Sequence, residues 1–380
     1  MFEDVKAPTS EAFEAYKARL TAVSRRAAEE GVDALLITPG PDLQYLTGST
    51  MTSFERLTCL IIPAHGMPTM VVPRLEVAAL RGCILHSPAV VLAPWVDGDD
   101  PYLLIGRSVG RSARVAVSES TQALHLIPLM QHFDPPVRLA TDVLREIRMI
   151  KDDAEIAALR AAGAAIDRVH ARMGEFLQVG RTEADVAADI TAAIIAEGHT
   201  RAAFVIVGSG PHGADPHHEV SDRVIEPGDI VVIDIGGPVP EGYFSDCTRT
   251  YSMGEPPADA AEKIALLEEA QRRAVELIRP GVAAGDVDAA ARNYLAEHGL
   301  SEYFVHRTGH GIGLSVHEEP YILAGNNQTL RAGMAFSVEP GVYLQGKWGA
   351  RIEDIVVVTE SGCEPMNRQP HGLTVLPIAG

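Results

Sequence analysis

The chain has 380 residues, a length that predicts two domains or one large domain with a smaller companion. Hydrophobic residues make up 46% and charged residues 22%, which excludes fibrous, low-complexity and disordered chains. The 32 Lys and Arg against 51 Asp and Glu give a net charge of −19, so no nucleic-acid or membrane partner is expected.

The cysteines indicate the cellular compartment. Cys59, Cys83, Cys247 and Cys363 include no CxxC pair, which argues against a disulfide framework and against a thiolate zinc site. The charged first residues and the lack of an apolar run of roughly 18 residues predict neither a signal peptide nor a membrane span. We therefore expect a cytoplasmic protein with reduced thiols.

The first part of the chain predicts a compact α/β domain. Apolar positions at helical spacing over residues 11–30 precede a β-rich run at 32–38. Further strands are predicted at 57–63, 69–73, 90–94 and 113–118, with helical segments at 74–81 and 121–132.

A second domain begins after the turn residues Asp134-Pro-Pro-Val137. Thr141 is suited to cap one helix, and a long helix with acidic residues in its first turn opens at Ile150. We place the domains at residues 1–142 and 143–380.

A faint internal repeat lies in the second domain. Gly180 to Gly198 and Gly281 to Gly299 share a Gly turn, an Ala-rich helix and a closing Glu-x-Gly or Glu-Gly, at an offset of about 100 residues. A β segment follows each copy, at 203–207 and at 303–307. The repeat predicts two pseudo-symmetric α+β halves, although two Ala-rich helices can also match by chance.

Acidic residues interrupt several apolar, strand-like runs of this domain. Asp234 and Asp246 lie in two strands that a hairpin would bring together, and Glu339 and Glu353 follow in later runs. His310 stands between glycines, where the backbone can approach a ligand closely.

These carboxylates predict a dinuclear metal site. Four ionised carboxylates carry −4, which two divalent ions balance, and a neutral imidazole adds a further ligand. Oxygen-rich ligation without thiolates favours Mn²⁺, with Co²⁺, Zn²⁺ or Fe²⁺ as alternatives, in a catalytic role. Two such ions would hold and acidify a bridging water, which is typical of a hydrolase.

The motifs resemble a known family when they are read in order. The chain is similar to metallopeptidase family M24, in its prolidase, or Xaa-Pro dipeptidase, and aminopeptidase P branch, strongly over residues 145–375 and more loosely before them. The resemblance rests on Pro216-His217, Ile-Asp234-Ile-Gly-Gly, Ser-Asp246-Cys-Thr-Arg-Thr, Gly-His310-Gly-Ile-Gly, Val316-His317-Glu-Glu-Pro, Ser-Val-Glu339-Pro-Gly and Arg351-Ile-Glu353-Asp.

The resemblance implies a fold and a role for each matching residue. The fold is α+β, with a pita-bread catalytic domain after a smaller creatinase-like α/β domain. Asp234 would bind one metal, His310 and Glu339 the other, and Asp246 and Glu353 both. Glu339 would also carry protons for the bridging hydroxide that attacks the scissile carbonyl.

Three further residues gain roles from their position. His217 and His317 lie where the family places histidines around the scissile bond, and an imidazole there could stabilise an oxyanion or support the leaving proline nitrogen. Arg351 is predicted to hold the bridging carboxylates from behind. His218 and His306 are interpreted as structural or rim residues.

The implied activity is hydrolysis of Xaa-Pro bonds in short proline-containing peptides. Such a bond has no N–H, which excludes proteases that bind that hydrogen. We favour a dipeptidase, with aminopeptidase P as the alternative. Some prolidases have an Arg for the proline carboxylate directly after His-Glu-x-Pro, but Tyr321 occupies that place here.

Other readings stay open. The same fold includes non-peptidase enzymes and, with ligands lost, binding modules. The family also implies a homodimer.

Overall fold

The computed structural model describes residues 10–52 and 54–378. The chain divides into two compact units between Arg148 and Met149, later than the predicted boundary after residue 142. The difference arises because the helix Thr141–Arg148 packs against the first helix of the chain, Ser10–Glu29, within the first unit.

The first unit is built on one mixed sheet. Its helices are α1 (Ser10–Glu29), α2 (Pro41–Thr47), α3 (Pro101–Val109), α4 (Ala123–Met130) and α5 (Thr141–Arg148), with 3₁₀ turns at Arg74–Leu80 and Ile84–His86. Its strands are β1 (Ala34–Ile37), β2 (Cys59–Pro63), β3 (Thr69–Pro73), β4 (Val91–Trp95), β5 (Val115–Val117) and β6 (Arg138–Leu139), in the order β4-β3-β2-β1-β5-β6. The predicted α/β domain is confirmed.

The second unit contains two larger sheets. Its helices are α6 (Asp153–Ala171), α7 (Met173–Phe176), α8 (Glu183–Ala196), α9 (Ala258–Leu277) and α10 (Ala284–Glu297), with 3₁₀ turns at Gly210–Ala214 and Ser301–Tyr303. Its strands are β7 (Phe204–Ser209), β8 (Ile230–Pro238), β9 (Phe244–Met253), β10 (Gly309–Gly311), β11 (Glu318–Ile322), β12 (Ala335–Val338), β13 (Gly341–Leu344), β14 (Trp348–Arg351), β15 (Asp354–Val358), β16 (Cys363–Pro365) and β17 (Thr374–Leu376).

These strands divide the second unit into halves. One sheet has the order β17-β9-β8-β7, the other has the order β11-β10-β12-β15-β16, and β13 pairs with β14 separately. Each large sheet has its own apolar core, which includes Ile190 and Ile233 in the first half and Leu267 and Phe336 in the second. This arrangement agrees with the two α+β halves that the repeat predicts.

Local sequence explains how the repeat helices begin. Glycines with φ of 89° at Gly180 and 92° at Gly281 turn the chain shortly before α8 and α10. Thr182 then caps α8 by accepting a hydrogen bond from the Asp185 N–H at 3.1 Å.

One predicted element of the repeat is wrong. Residues 303–307 do not form a strand, and β10 begins only at Gly309. The guanidinium of Arg292 on α10 donates to the carbonyls of Phe304 and His306, at 3.3 and 2.7 Å. Those carbonyls are therefore not paired in a ladder.

Two sequence features can be compared directly with the structure. All four cysteines are free thiols, as predicted. None of the described helices is both long and apolar enough to cross a membrane.

Candidate metal centre

A cavity of about 850 Å³ lies in the second unit. All eight residues to which the sequence assigns a catalytic, metal-binding or supporting role line it: His217, Asp234, Asp246, His310, His317, Glu339, Arg351 and Glu353. Strands or the loops that join them carry all of these side chains.

The hairpin of β8 and β9 places the two aspartates on one face of the sheet. Asp234 lies opposite Thr248, and Asp246 lies opposite Gly236. Directly opposed residues share a face, as do residues two apart on one strand, so both carboxylates project to the same side. Cys247, the residue after Asp246 on β9, belongs to the opposite face and packs in the apolar core behind the sheet.

His310 is held at the centre of β10 by its two glycine neighbours. A Cβ at Gly309 would lie 1.9 Å from the Ser337 carbonyl oxygen, and one at Gly311 would lie 2.2 Å from the Glu319 carbonyl oxygen. The glycines therefore allow close approach of adjoining backbone segments.

The His310 ring is oriented toward the carboxylates. Its Nδ1 lies 3.1 Å from the Gly311 carbonyl oxygen, which assigns the proton to Nδ1 and leaves Nε2 as an acceptor. Nε2 lies 3.2 Å from Glu339 Oε1, 3.6 Å from Asp246 Oδ2 and 4.0 Å from Glu353 Oε1. Burial, with the nearby His317, lowers the pKa of His310 to about 3, so its imidazole is neutral.

Hydroxyl groups fix the two glutamates. Ser337 Oγ donates to Glu339 Oε1 at 3.1 Å, and Thr248 Oγ1 donates to Glu353 Oε2 at 2.7 Å. The Glu353 N–H also donates to the Thr248 carbonyl oxygen at 3.1 Å, which links the two halves of the unit.

Burial and mutual repulsion disfavour charge on this cluster. They raise the pKa of Asp246 and of Glu353 well above the usual range. Burial raises the pKa of Glu339 to about 7, although the charge of Arg351 opposes the shift. Cations among these oxygens would remove that cost.

The donor set fits divalent metal ions. Asp246, His310 and Glu353 each offer a ligand atom, and these atoms lie within 4.8 Å of one another. Asp234 Oδ1 is buried and has no hydrogen-bond partner among the described residues. A buried carboxylate oxygen without a donor is costly unless it binds a cation.

Arg351 supports the site through a network that sequence reasoning missed in part. Its Nη2 donates to Asp234 Oδ2 at 2.6 Å, and its Nη1 donates to the Tyr343 hydroxyl at 2.8 Å. His306 Nε2 lies 2.8 Å from the same hydroxyl. Arg351 thus contacts Asp234, whereas the sequence prediction paired it with the bridging carboxylates.

The two predicted catalytic histidines are exposed at the cavity. His317 precedes β11, and its ring centroid lies 4.2 Å from that of His310, edge to face. Burial and the charge of Arg307 lower the pKa of His317. His217 lies in the loop before β8, where its N–H donates to Asp215 Oδ1 at 3.1 Å.

A second group of metal-ligating types contains Glu183, His212 and His218. Here the Glu183 carboxylate already accepts hydrogen bonds from the Ser209 and Ser221 hydroxyls, each at 2.7 Å. His218 Nε2 lies 2.8 Å from Glu183 Oε2. The group therefore forms a satisfied hydrogen-bond network.

Comparisons with known proteins agree with both units. The family model for metallopeptidase family M24 matches residues 157–360, and that for the creatinase/prolidase N-terminal domain matches residues 19–150. The probable dipeptidase PepE of Mycobacterium tuberculosis is 59% identical over 367 residues, which cover 96% of this chain and 98% of the relative. The Xaa-Pro dipeptidase of Lactobacillus delbrueckii subsp. lactis is 32% identical over 92% of this chain and 96% of that protein.

A solved structure is similar over nearly the whole chain. The crystal structure of dipeptidase PepE from Mycobacterium ulcerans has a TM-score of 0.94 and 58% sequence identity. The match covers 96% of this chain and 99% of that chain.

Proposed function

The chain belongs to metallopeptidase family M24, and from that premise we propose that it is an Xaa-Pro dipeptidase that requires two divalent metal ions. It is a hydrolase of the prolidase type, with a creatinase-type N-terminal domain and a pita-bread catalytic domain. Relatives that carry the names dipeptidase and Xaa-Pro dipeptidase support the finer assignment.

The observation that carries the proposal is the convergence of the predicted ligands on one cavity. Asp234, Asp246, His310, Glu339 and Glu353 would hold two ions, for which Mn²⁺ is our first candidate. When bound, the ions would supply Lewis acidity and a water of lowered pKa.

Glu339 is the group we assign to proton transfer. Among the carboxylates that face His310 Nε2, its side chain is the most open, with 15% exposed against 5% for Asp246 and 2% for Glu353. Its carboxylate can therefore reach the substrate, accept a proton from the attacking water and deliver it to the proline nitrogen.

His217 and His317 are assigned to the substrate side of the reaction. Both are exposed at the cavity. An N–H of either imidazole can donate to the carbonyl oxygen as negative charge develops on it. The other can hold the proline residue as its nitrogen leaves.

The proposal is tested with Mn²⁺-loaded protein and an equimolar mixture of Ala-Pro, Ala-Pro-Ala and Ala-Ala, with products identified by mass spectrometry. Asp246→Asn removes one candidate ligand charge, and Asp286→Asn, at an exposed position of α10, is the matched control. We expect wild type and Asp286→Asn to cleave Ala-Pro, and Asp246→Asn to be inactive.

Other product patterns would reassign the protein. Cleavage of Ala-Pro-Ala makes it an aminopeptidase P. Cleavage of Ala-Ala as fast as Ala-Pro would show a dipeptidase without proline specificity. Inactivity on all three peptides would favour a non-peptidase enzyme of the same fold. A homodimer and a cytoplasmic location stay predictions of the sequence.

A further inference from the structure

A second arginine lines the cavity and is not committed to a carboxylate. Arg351 is buried and bound to Asp234, whereas Arg307 is partly exposed. Within the described part of the chain, no carboxylate oxygen forms an ion pair with Arg307 within 4.0 Å. Its positive charge is therefore available to a molecule that enters the cavity.

An aromatic ring holds the Arg307 guanidinium. The guanidinium carbon lies 4.6 Å from the centroid of the Tyr321 ring, on β11. A cation over a ring face is attracted by the ring quadrupole and keeps the guanidinium edges free to donate.

The backbone on both sides of Arg307 is also fixed. Arg292 Nη2 donates to the His306 carbonyl oxygen at 2.7 Å, and the Thr308 N–H donates to Asp288 Oδ1 at 3.1 Å. Arg292 and Asp288 lie on α10, where they pair at 2.8 Å. The side chain of Arg307 thus projects from an anchored segment, which favours a binding role that needs a defined position.

The chemistry of a dipeptide requires such a cation. Its terminal carboxylate lies within one residue of the scissile carbonyl, about 3.8 Å in Cα spacing, so both must occupy the same cavity. A carboxylate taken out of water there needs a paired cation. The other arginine of the lining, Arg351, is already bound to Asp234, which leaves Arg307 as the cation for the carboxylate.

We propose that Arg307, stacked on Tyr321, binds the C-terminal carboxylate of the substrate and thereby selects dipeptides over longer peptides. The planar guanidinium can form two parallel hydrogen bonds with a carboxylate. The inference rests on the proposed function, because it takes the substrate to be an Xaa-Pro dipeptide.

The decisive experiment compares Ala-Pro with Ala-Pro-amide, which lacks the terminal negative charge. We measure kcat and KM for Mn²⁺-loaded wild type, Arg307→Gln, Arg307→Lys and the control Arg279→Gln at an exposed position. We expect wild type to prefer the free acid. Arg307→Gln should lower kcat/KM for Ala-Pro by about 10- to 100-fold, mainly through KM, the loss typical of a charge-assisted hydrogen bond.

The companion measurements separate substrate binding from a structural role. Arg307→Gln should change kcat/KM for the amide by no more than about threefold, and Arg307→Lys should recover part of the loss. Calorimetry with a reduced-amide analogue of Ala-Pro should show weaker binding to Arg307→Gln. Tyr321→Phe should bind this analogue as wild type does, and Tyr321→Leu should bind it several-fold less tightly.

Three results would overturn the inference. If Arg307→Gln lowers kcat/KM equally for acid and amide, Arg307 does not read the carboxylate, and the proposed function stands. If the wild type cleaves Ala-Pro and Ala-Pro-amide equally well, the terminal carboxylate is not recognised, and the proposed function again stands. If the wild type cleaves neither, the proposed function fails and this inference fails with it.

Discussion

Arg351 Nη2 lies 2.6 Å from Asp234 Oδ2, while Oδ1 of the same carboxylate has no partner among the described residues. The guanidinium therefore fixes one oxygen and leaves the other for a cation. Because Arg351 also donates to the Tyr343 hydroxyl, its position is set from two directions.

Replacing Arg351 tests this positioning. Arg351→Met leaves Asp234 buried without its cation, so the free energy of unfolding without metal should fall by about 3–5 kcal/mol. Mn²⁺ affinity should fall by about 10- to 100-fold, because the partner that orients a ligand is lost. Urea unfolding and calorimetric titration measure the two effects.

Arg351→Lys is the matched variant. It keeps the positive charge, but one ammonium cannot replace two guanidinium nitrogens that donate separately to Asp234 and Tyr343. We therefore expect only partial recovery of Mn²⁺ affinity. Unchanged metal affinity in Arg351→Met would contradict the positioning role.

Asp246→Asn should change stability in opposite directions with and without metal. Without metal, burial and the neighbouring acids disfavour the ionised form of Asp246, and a neutral Asn avoids that cost, so the variant should be at least as stable as wild type. With Mn²⁺ at about 100 times its Kd, wild type should gain about 2.7 kcal/mol per ion and the variant less. Thermal unfolding of both proteins with and without chelator measures these effects. An Asp246→Asn variant that is less stable than wild type without metal would contradict the prediction.

Gly309→Ala should distort the strand that carries His310. The new Cβ would meet the Ser337 carbonyl oxygen at 1.9 Å, which forces β10 away from β12. We expect a loss of about 1–3 kcal/mol in unfolding free energy, with lower Mn²⁺ affinity. Gly362→Ala is the control, since its nearest contact is 4.0 Å away; equal effects in both would rule out the steric explanation.

Glu183 should contribute stability that depends on pH. Burial alone would raise its pKa, but hydrogen bonds from Ser209, Ser221 and His218 lower it to about 2. The carboxylate therefore stabilises the fold fully above its unfolded pKa of about 4.5, and this stabilisation is lost as the pH falls toward 2.

The test is Glu183→Gln, with Glu297→Gln at an exposed position as control. At pH 7 the Glu183 variant should be less stable by about 1–3 kcal/mol. Its deficit should shrink between about pH 4.5 and pH 2, measured by urea unfolding across the range. A deficit independent of pH would show that the charge contributes nothing.

The positions of the acidic side chains were largely predictable from strand parity. Asp234 and Asp246 follow the alternation of two strands joined by a turn, and the same alternation could have identified Thr248, two residues after Asp246. Ser337, two residues before Glu339, carries the same signal. A Ser or Thr two residues from an acid in the same strand-like run therefore predicts a hydrogen-bond donor for the carboxylates of the site.

Long-range partners were not predictable. Tyr343 joins Arg351 to His306 through a hydroxyl that no local motif marks. The wrong prediction of a strand at 303–307 also reflects a long-range contact. Arg292, more than ten positions away, donates hydrogen bonds to carbonyl oxygens of this segment. The stacking of Arg307 on Tyr321 likewise depends on tertiary structure.

The candidate ligands come from both halves of the second unit, with Asp234 and Asp246 on one sheet and His310, Glu339 and Glu353 at the other. A nascent chain released only as far as β9 holds two of the five candidate ligands, so tight binding of the proposed metal ions would await completion of the unit. Metal loading would then mark the end of folding, and a truncated or half-folded chain would have no working hydrolytic centre with which to attack cellular peptides.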